Sequence, residues 1–189
     1  MKIRKPISRP PPDEETTRFK VKKFGVTEDF DHHIFIHSAV LKRIVEYSRT
    51  NLHRELGGVM IGNYCTWKSR AFIVIEDYIE ARLGESRSAS FKFTHDSFSE
   101  ITRLKEQKYP DPDVMMVGWH HTHPSFGIFL SGMDLFIHQG YFNLPWQVAL
   151  VVDPVADKLG FFQWKKNEVQ KCGFYTIAPA DGKAKTPTA

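Results

Sequence analysis

The apolar residues of this chain change period several times between His33 and Ile177, and that alternation constrains the fold more than any other feature. His33 to Ile36 alternates apolar and polar as a strand does. Val40, Leu41, Ile44, Val45 and Leu52 then recur at helical spacing, which predicts a helix from about Ser38 to His53. Leu56 to Trp67 is apolar and punctuated by glycine, and Ala71 to Ile79 is β-branched, so the two read as a hairpin across Lys68, Ser69 and Arg70. Gly84 to Ala89 is polar and reads as a loop, while Phe91 and Phe93 alternate with Lys92 and Thr94 as on an edge strand. Asp96 to Lys108 is an amphipathic helix carrying Phe98, Ile101 and Leu104, and Pro110 and Pro112 end it. Val114 to Thr122 is a buried strand by composition, and Met133 to Phe142 is a helix. Trp146 to Val152, Gly160 to Lys165 and Val169 to Ile177 are three more strands. Strands interleaved with about three helices give an α/β (or α+β) domain around a central mixed sheet.

A chain of 189 residues, 41% of them hydrophobic, sustains one core without disulfides. Cys65 and Cys172 therefore read as free thiols in or near that core. The formal charge of +4, from 26 basic and 22 acidic residues, is too small and too scattered to argue for nucleic acid. No run approaches the ~20 apolar residues that span a bilayer, and Met-Lys-Ile-Arg-Lys-Pro lacks the apolar run of a signal peptide, so a cytoplasmic protein without membrane contact is expected. Basic residues do cluster at the ends. Residues 1–29, basic and carrying Pro10, Pro11 and Pro12, and residues 178–189 read as mobile arms around a domain spanning 30–177, with Phe19-Lys20-Val21 able to dock as a short edge strand.

Chemistry concentrates in Gly118-Trp119-His120-His121-Thr122-His123-Pro124. On a strand His121 and His123 point to one face and His120 and Thr122 to the other, so two imidazoles can share one metal ion. Seven residues separate His123 from Ser131, and Ser131-Gly132-Met133-Asp134 opens a helix on which Asp134 can supply a third ligand. Two neutral imidazoles and one carboxylate suit Zn²⁺ in a catalytic site, where a fourth position stays open for water. Each residue also has a plainer explanation. A histidine pair on a strand can be ordinary packing, Ser131 with Asp134 resembles a capping box, and Glu55 alone would be a surface carboxylate at a helix end.

The joint spacing decides between them. Glu55 followed by Leu56-Gly57-Gly58-Val59-Met60-Ile61-Gly62, then His121-x-His123, seven residues, Ser131, two residues and Asp134, resembles the JAMM motif of the MPN/JAB metalloproteases. Gly118-Trp119, Pro124, Leu130 and Leu144-Pro145 extend the resemblance over roughly Phe35 to Tyr175. It implies a single domain with a curved sheet, one zinc ion on His121, His123 and Asp134, Glu55 as general acid/base and Ser131 as an oxyanion donor. The physical reason is independent of the family. Zinc brings the pKa of its bound water from 15.7 to about 7, so a carboxylate that is hopeless against bulk water becomes a useful base.

The resemblance further implies hydrolysis of the isopeptide bond after the C-terminal glycine of ubiquitin or a ubiquitin-like protein. Such a tail can add as a strand to a sheet edge, and Ala89 to Thr94 is the edge the pattern offers. E1/E2-like conjugation proteins, as in prokaryotic ubiquitin-like systems, are the further partners it suggests. His138 falls four residues after Asp134 and reads either as support for the site or as a satisfied core histidine. Three alternatives stand beside this reading: a non-catalytic MPN scaffold, a non-haem iron oxygenase, and processing of a sulfur-carrier or modifier precursor. All three ligands, the serine and the glutamate are present, against the first, and the ligand order is the reverse of that usual in the second.

Overall fold

Central strands that bury both faces carry the fold of this computed structural model, which describes residues 5–28, 31–81 and 93–182. Among these the chain forms, in order, β1 (Ile7–Ser8), β2 (Phe19–Phe24), β3 (His33–His37), α1 (Ser38–Ser48), β4 (Gly57–Trp67), β5 (Arg70–Glu80), α2 (His95–Lys108), β6 (Met115–Thr122), α3 (Gly132–Tyr141), β7 (Val148–Asp153), β8 (Lys158–Lys165), β9 (Glu168–Cys172) and β10 (Phe174–Pro179). The strands form one mixed sheet in the order β2-β10-β3-β5-β4-β6-β7-β8-β9, and β1 lies beside the far half of β4. Pairs β3–β5, β3–β10 and β6–β7 are parallel. The β4–β5 hairpin turns on Lys68 and Ser69, both at positive φ (45° and 66°), which matches the right-handed twist of the strands it joins.

Alternation along the strands sorts side chains into two cores. Met60, Ile73, Ile75, Val148 and Leu150 pack with Val40 and Ile44 of α1 on one face. Val59, Ile61, Trp119, Ala149 and Val151 pack with Ile101 of α2 and Ile137 of α3 on the other. Being covered on both sides, β7 is buried throughout, and its near-continuous apolar run follows from that.

Several expectations need correction. The N-terminal stretch read as an arm carries β1 and β2; Phe19-Lys20-Val21 does dock as an edge strand, which extends to Phe24 and pairs along its length with β10. Ile7, Phe19 and Val21 cover Phe35, Cys65, Phe72, Val74 and Ile177, a third apolar cluster that those residues close. Because β10 runs to Pro179, the first residues assigned to the C-terminal tail lie in the sheet. Helix α1 stops at Ser48, and the Asn51 side chain then accepts the N–H groups of His53 and Arg54 in a turn. Leu52 is left half-exposed.

The single strand expected from Val169 to Ile177 is two strands broken at Gly173, with β9 on β8 and β10 between β2 and β3. At the break Gly173 N–H donates to Val26 O at 2.7 Å, and a Cβ at this position would lie 2.7 Å from the Val26 backbone. The expected loop from Gly84 to Ala89 and most of the expected edge strand from Ala89 to Thr94 lie outside the described residues. Phe93 and Thr94 are described and are not in a strand. Phe93 is buried against Trp119 and Phe142, and Thr94 caps α2.

Candidate metal centre

The pairing of β6 with β4 builds the site. Gly57 stands opposite His121 and Gly58 opposite His120. A Cβ on residue 58 would fall 2.4 Å from Ile79 O and 3.0 Å from His120 Cε1, so glycine makes room for that ring. His120 points toward α1, edge-on to Tyr47 and Tyr78, where burial pushes its pKa down to about 3 and keeps it neutral. His121 faces the opposite side. Past the strand end, Leu56 N–H donates to Thr122 Oγ1 and Thr122 N–H to Leu56 O, both at 2.8 Å. This clamp fixes Glu55 beside the histidines, with Oε1 3.9 Å from His123 Nε2.

The third side comes from α3. Ser131 Oγ accepts Asp134 N–H at 3.2 Å, and Asp134 Oδ2 accepts Ser131 N–H at 2.7 Å, a reciprocal capping box. The same Asp134 carboxylate reaches both imidazoles, Oδ1 lying 3.3 Å from His121 Nε2 and Oδ2 3.4 Å from His123 Nε2. The two Nε2 atoms are 3.0 Å apart. Burial works to raise the pKa of Asp134, but the two imidazoles and Ser131 outweigh it and hold the carboxyl well below the usual range. At His123 burial works the other way, and Asp134 and Glu55 overcome it and raise the pKa.

His121, His123 and Asp134 are buried, and one ligand atom from each falls within 4.8 Å of the others. Two imidazole nitrogens and a carboxylate converging in this way form a donor set that fits Zn²⁺. The structure thus brings together the five residues singled out from the sequence, with Glu55 beside His123 and Ser131 bonded to Asp134.

Further residues shape the site. Trp119 lies flat on His121, and its indole N–H donates to His138 Nδ1 at 3.0 Å. His138 is fully buried, stacks on Trp164, and is pushed down to about 4 by burial, so it serves as a neutral acceptor for the indole that lies on His121. The loop from Pro124 to Leu130 has left-handed residues at Ser125 (φ 66°) and Gly127 (φ 88°). Its Gly127 carbonyl faces His123 Nδ1 at 3.3 Å, and its backbone is tied to the buried carboxylate of Asp153. Sequence reasoning passed over Asp153. A carboxylate closing an apolar strand and followed by Pro154 was the signal available, since such a residue must find backbone donors nearby.

Residues 30–144 match the family model described as JAB1/Mov34/MPN/PAD-1 ubiquitin protease. Among curated relatives, the 26S proteasome regulatory subunit RPN11 of Eremothecium gossypii is 27% identical over 154 residues, covering 81% of this chain and 46% of that protein. The ubiquitin carboxyl-terminal hydrolase RPN11 of Saccharomyces cerevisiae is 26% identical over 140 residues, covering 70% and 42%. The STAM-binding protein-like protein of Xenopus laevis is 27% identical over 154 residues, covering 78% and 34%. The chain thus spans less than half the length of these relatives. The solution structure of protein DSY2949 from Desulfitobacterium hafniense shares the fold, with a TM-score of 0.54 at 19% identity over 73% of this chain and 88% of that one.

Proposed function

The chain belongs to the JAB1/Mov34/MPN/PAD-1 ubiquitin protease family, and on that premise we propose that it is a zinc-dependent isopeptidase cleaving after the C-terminal glycine of ubiquitin or a ubiquitin-like protein. The observation that carries this reading is the convergence of His121, His123 and Asp134 beside Glu55. The three residues would hold the metal. Zinc bound there supplies Lewis acidity toward water and an amide carbonyl.

The remaining roles fall to the protein's own groups. Glu55 takes the proton of the attacking water and returns it to the departing amine. Ser131 Oγ already accepts the Asp134 N–H, so its own proton stays available to donate to the oxyanion of the attacked carbonyl. Capping and catalysis are compatible at this serine, because they use a lone pair and the hydroxyl hydrogen separately. Phe129, 4.8 Å from the His123 ring and half-exposed, gives the site an apolar wall.

Ubiquitin as the modifier is supported by the names of the relatives, one of which is a ubiquitin carboxyl-terminal hydrolase. Those names lend no support to E1/E2-like partners. The test is release of a fluorescent amine from the C-terminus of ubiquitin, run beside samples containing a zinc chelator or carrying Glu55→Ala. Release that both controls abolish is the expected result. A zinc-loaded protein that releases nothing would count against ubiquitin and turn the search to smaller modifiers or their precursors.

A further inference from the structure

Asp153, the last residue of β7, takes no part in the steps above, yet it is 1% exposed and its carboxylate accepts four backbone N–H groups. Oδ1 takes those of Ser125 (3.1 Å), Val155 (3.1 Å) and Ala156 (3.0 Å), and Oδ2 takes that of Gly127 (3.0 Å). Burial acts to raise the pKa of this carboxyl, and the four donors lower it below the ordinary range, so the group stays ionised. Val155 and Ala156 belong to the adjacent turn and explain only a local cap. Ser125 and Gly127 come from the loop that follows His123, and the turn at Asp153 has no need of them.

Gly127 links this carboxylate to the candidate ligand set. Its N–H is held by Asp153 Oδ2, and its carbonyl faces His123 Nδ1 at 3.3 Å. A neutral imidazole that ligates through Nε2 must carry its proton on Nδ1, and an acceptor at Nδ1 selects that tautomer and fixes the ring. Gly127 sits at φ 88° in a loop whose Ile128 and Leu130 pack on the core, and its own N–H is anchored by Asp153 Oδ2, so that bond helps set the position of its carbonyl. We propose that Asp153 is a positioning residue for His123, acting through Gly127 to keep Nε2 bare and directed at Asp134 and His121. This rests on the metal-site reading above and adds a residue to it.

Asp153→Asn separates this role from the local cap. The amide oxygen can still serve the donors gathered at Oδ1, while an NH₂ group replaces Oδ2 and opposes the Gly127 N–H. Flipping the amide would cost three acceptor contacts to save one. The experiment has two arms on the whole chain: imidazole ¹⁵N spectra of His123 in metal-free protein in alkaline buffer, and zinc affinity by chelator competition.

Wild type is expected to show His123 protonated on Nδ1 with a protected Gly127 amide. The Asp153→Asn variant is expected to show mixed tautomers and about 10–100-fold weaker zinc binding, the usual effect of losing such a supporting hydrogen bond. An unchanged tautomer and unchanged zinc affinity, with Gly127 amide exchange nonetheless accelerated, would overturn the proposal. If the variant does not fold, the wild-type spectrum still decides, because an Nε2-protonated His123 there is incompatible with the proposal. A wild type that binds no zinc would sink the metal reading, and the spectra would judge Asp153 separately.

Discussion

The indole of Trp119 lies against the His121 imidazole with ring centroids 4.4 Å apart and planes 13° from parallel. That stack orients a candidate ligand whose Nδ1 is buried without a hydrogen-bond partner. Trp119 is in turn held by its N–H bond to His138 Nδ1, so the chain of support runs from α3 through the indole to β6.

The first prediction concerns this chain of support. His138 has a folded pKa of about 4 against an ordinary 6.5, so between those values the unfolded chain binds a proton that the folded one refuses. Stability therefore rises with pH across the window and is lost as pH falls through it, by up to about 1.4 kcal/mol per unit or roughly 3 kcal/mol in all. His138→Gln keeps an acceptor for Trp119 and removes the titration. Urea denaturation of metal-free protein from neutral pH down to the acid end of the window is expected to show a visibly shallower decline for the variant. Identical slopes would mean that His138 is hydrated in solution.

Ser131→Ala separates the cap from the chemistry. Losing the hydroxyl acceptor of the capping box costs about 1 kcal/mol, a melting shift of roughly 2–4 °C for a chain of this size. The bond from Ser131 N–H to Asp134 Oδ2 survives the change, so zinc content is expected to stay stoichiometric. Turnover is expected to fall about 10²–10³-fold, as for other lost oxyanion donors. A variant that is folded, loaded and fully active would leave Ser131 as a cap alone.

Glu55→Gln tests the base without disturbing the shape of the site. Glu55 stands 3.9 Å from His123 Nε2, outside the tight group formed by His121, His123 and Asp134, so zinc affinity measured by chelator competition should match wild type. Turnover should fall by about 10²–10⁴. Loss of zinc together with activity would instead make Glu55 a ligand.

The candidate site was legible because its parts obey local rules. His121 and His123 share a face by strand alternation, Ser131 and Asp134 sit where a helix begins, and the joint spacing of these four with Glu55 is what resembles the JAMM motif. The central strands were legible for the same reason. What stayed hidden depends on contacts distant in sequence. Asp153 meets its loop donors 28 and 26 residues back, at Ser125 and Gly127. Phe19-Lys20-Val21 was legible as a short edge strand, but not that β2 runs on to Phe24 or that Phe19 and Val21 close a cluster on Phe35 and Ile177. In both cases the deciding partner lies on another element, which a local pattern does not report.

Gly173 gives the last test, since the break between β9 and β10 depends on it. A Cβ there would stand 2.7 Å from the carbonyl carbon and oxygen of Val26 and from Thr27 Oγ1, and backbone atoms cannot turn aside as a flexible side-chain tip would. Gly173→Ala must therefore push the segment after β2 outward and stretch the 2.7 Å bond from Gly173 N–H to Val26 O. Overpacking of this kind costs about 1–3 kcal/mol, or roughly 2–12 °C in melting temperature. The candidate ligands lie on β6 and α3, well along the sheet from β10 and β2, so zinc affinity and turnover are expected to hold at temperatures where the variant remains folded. Thermal denaturation beside an activity assay checks both halves. An unshifted melting temperature would mean that the break at Gly173 relaxes freely and that the close approach of Val26 does not hold β2 in place.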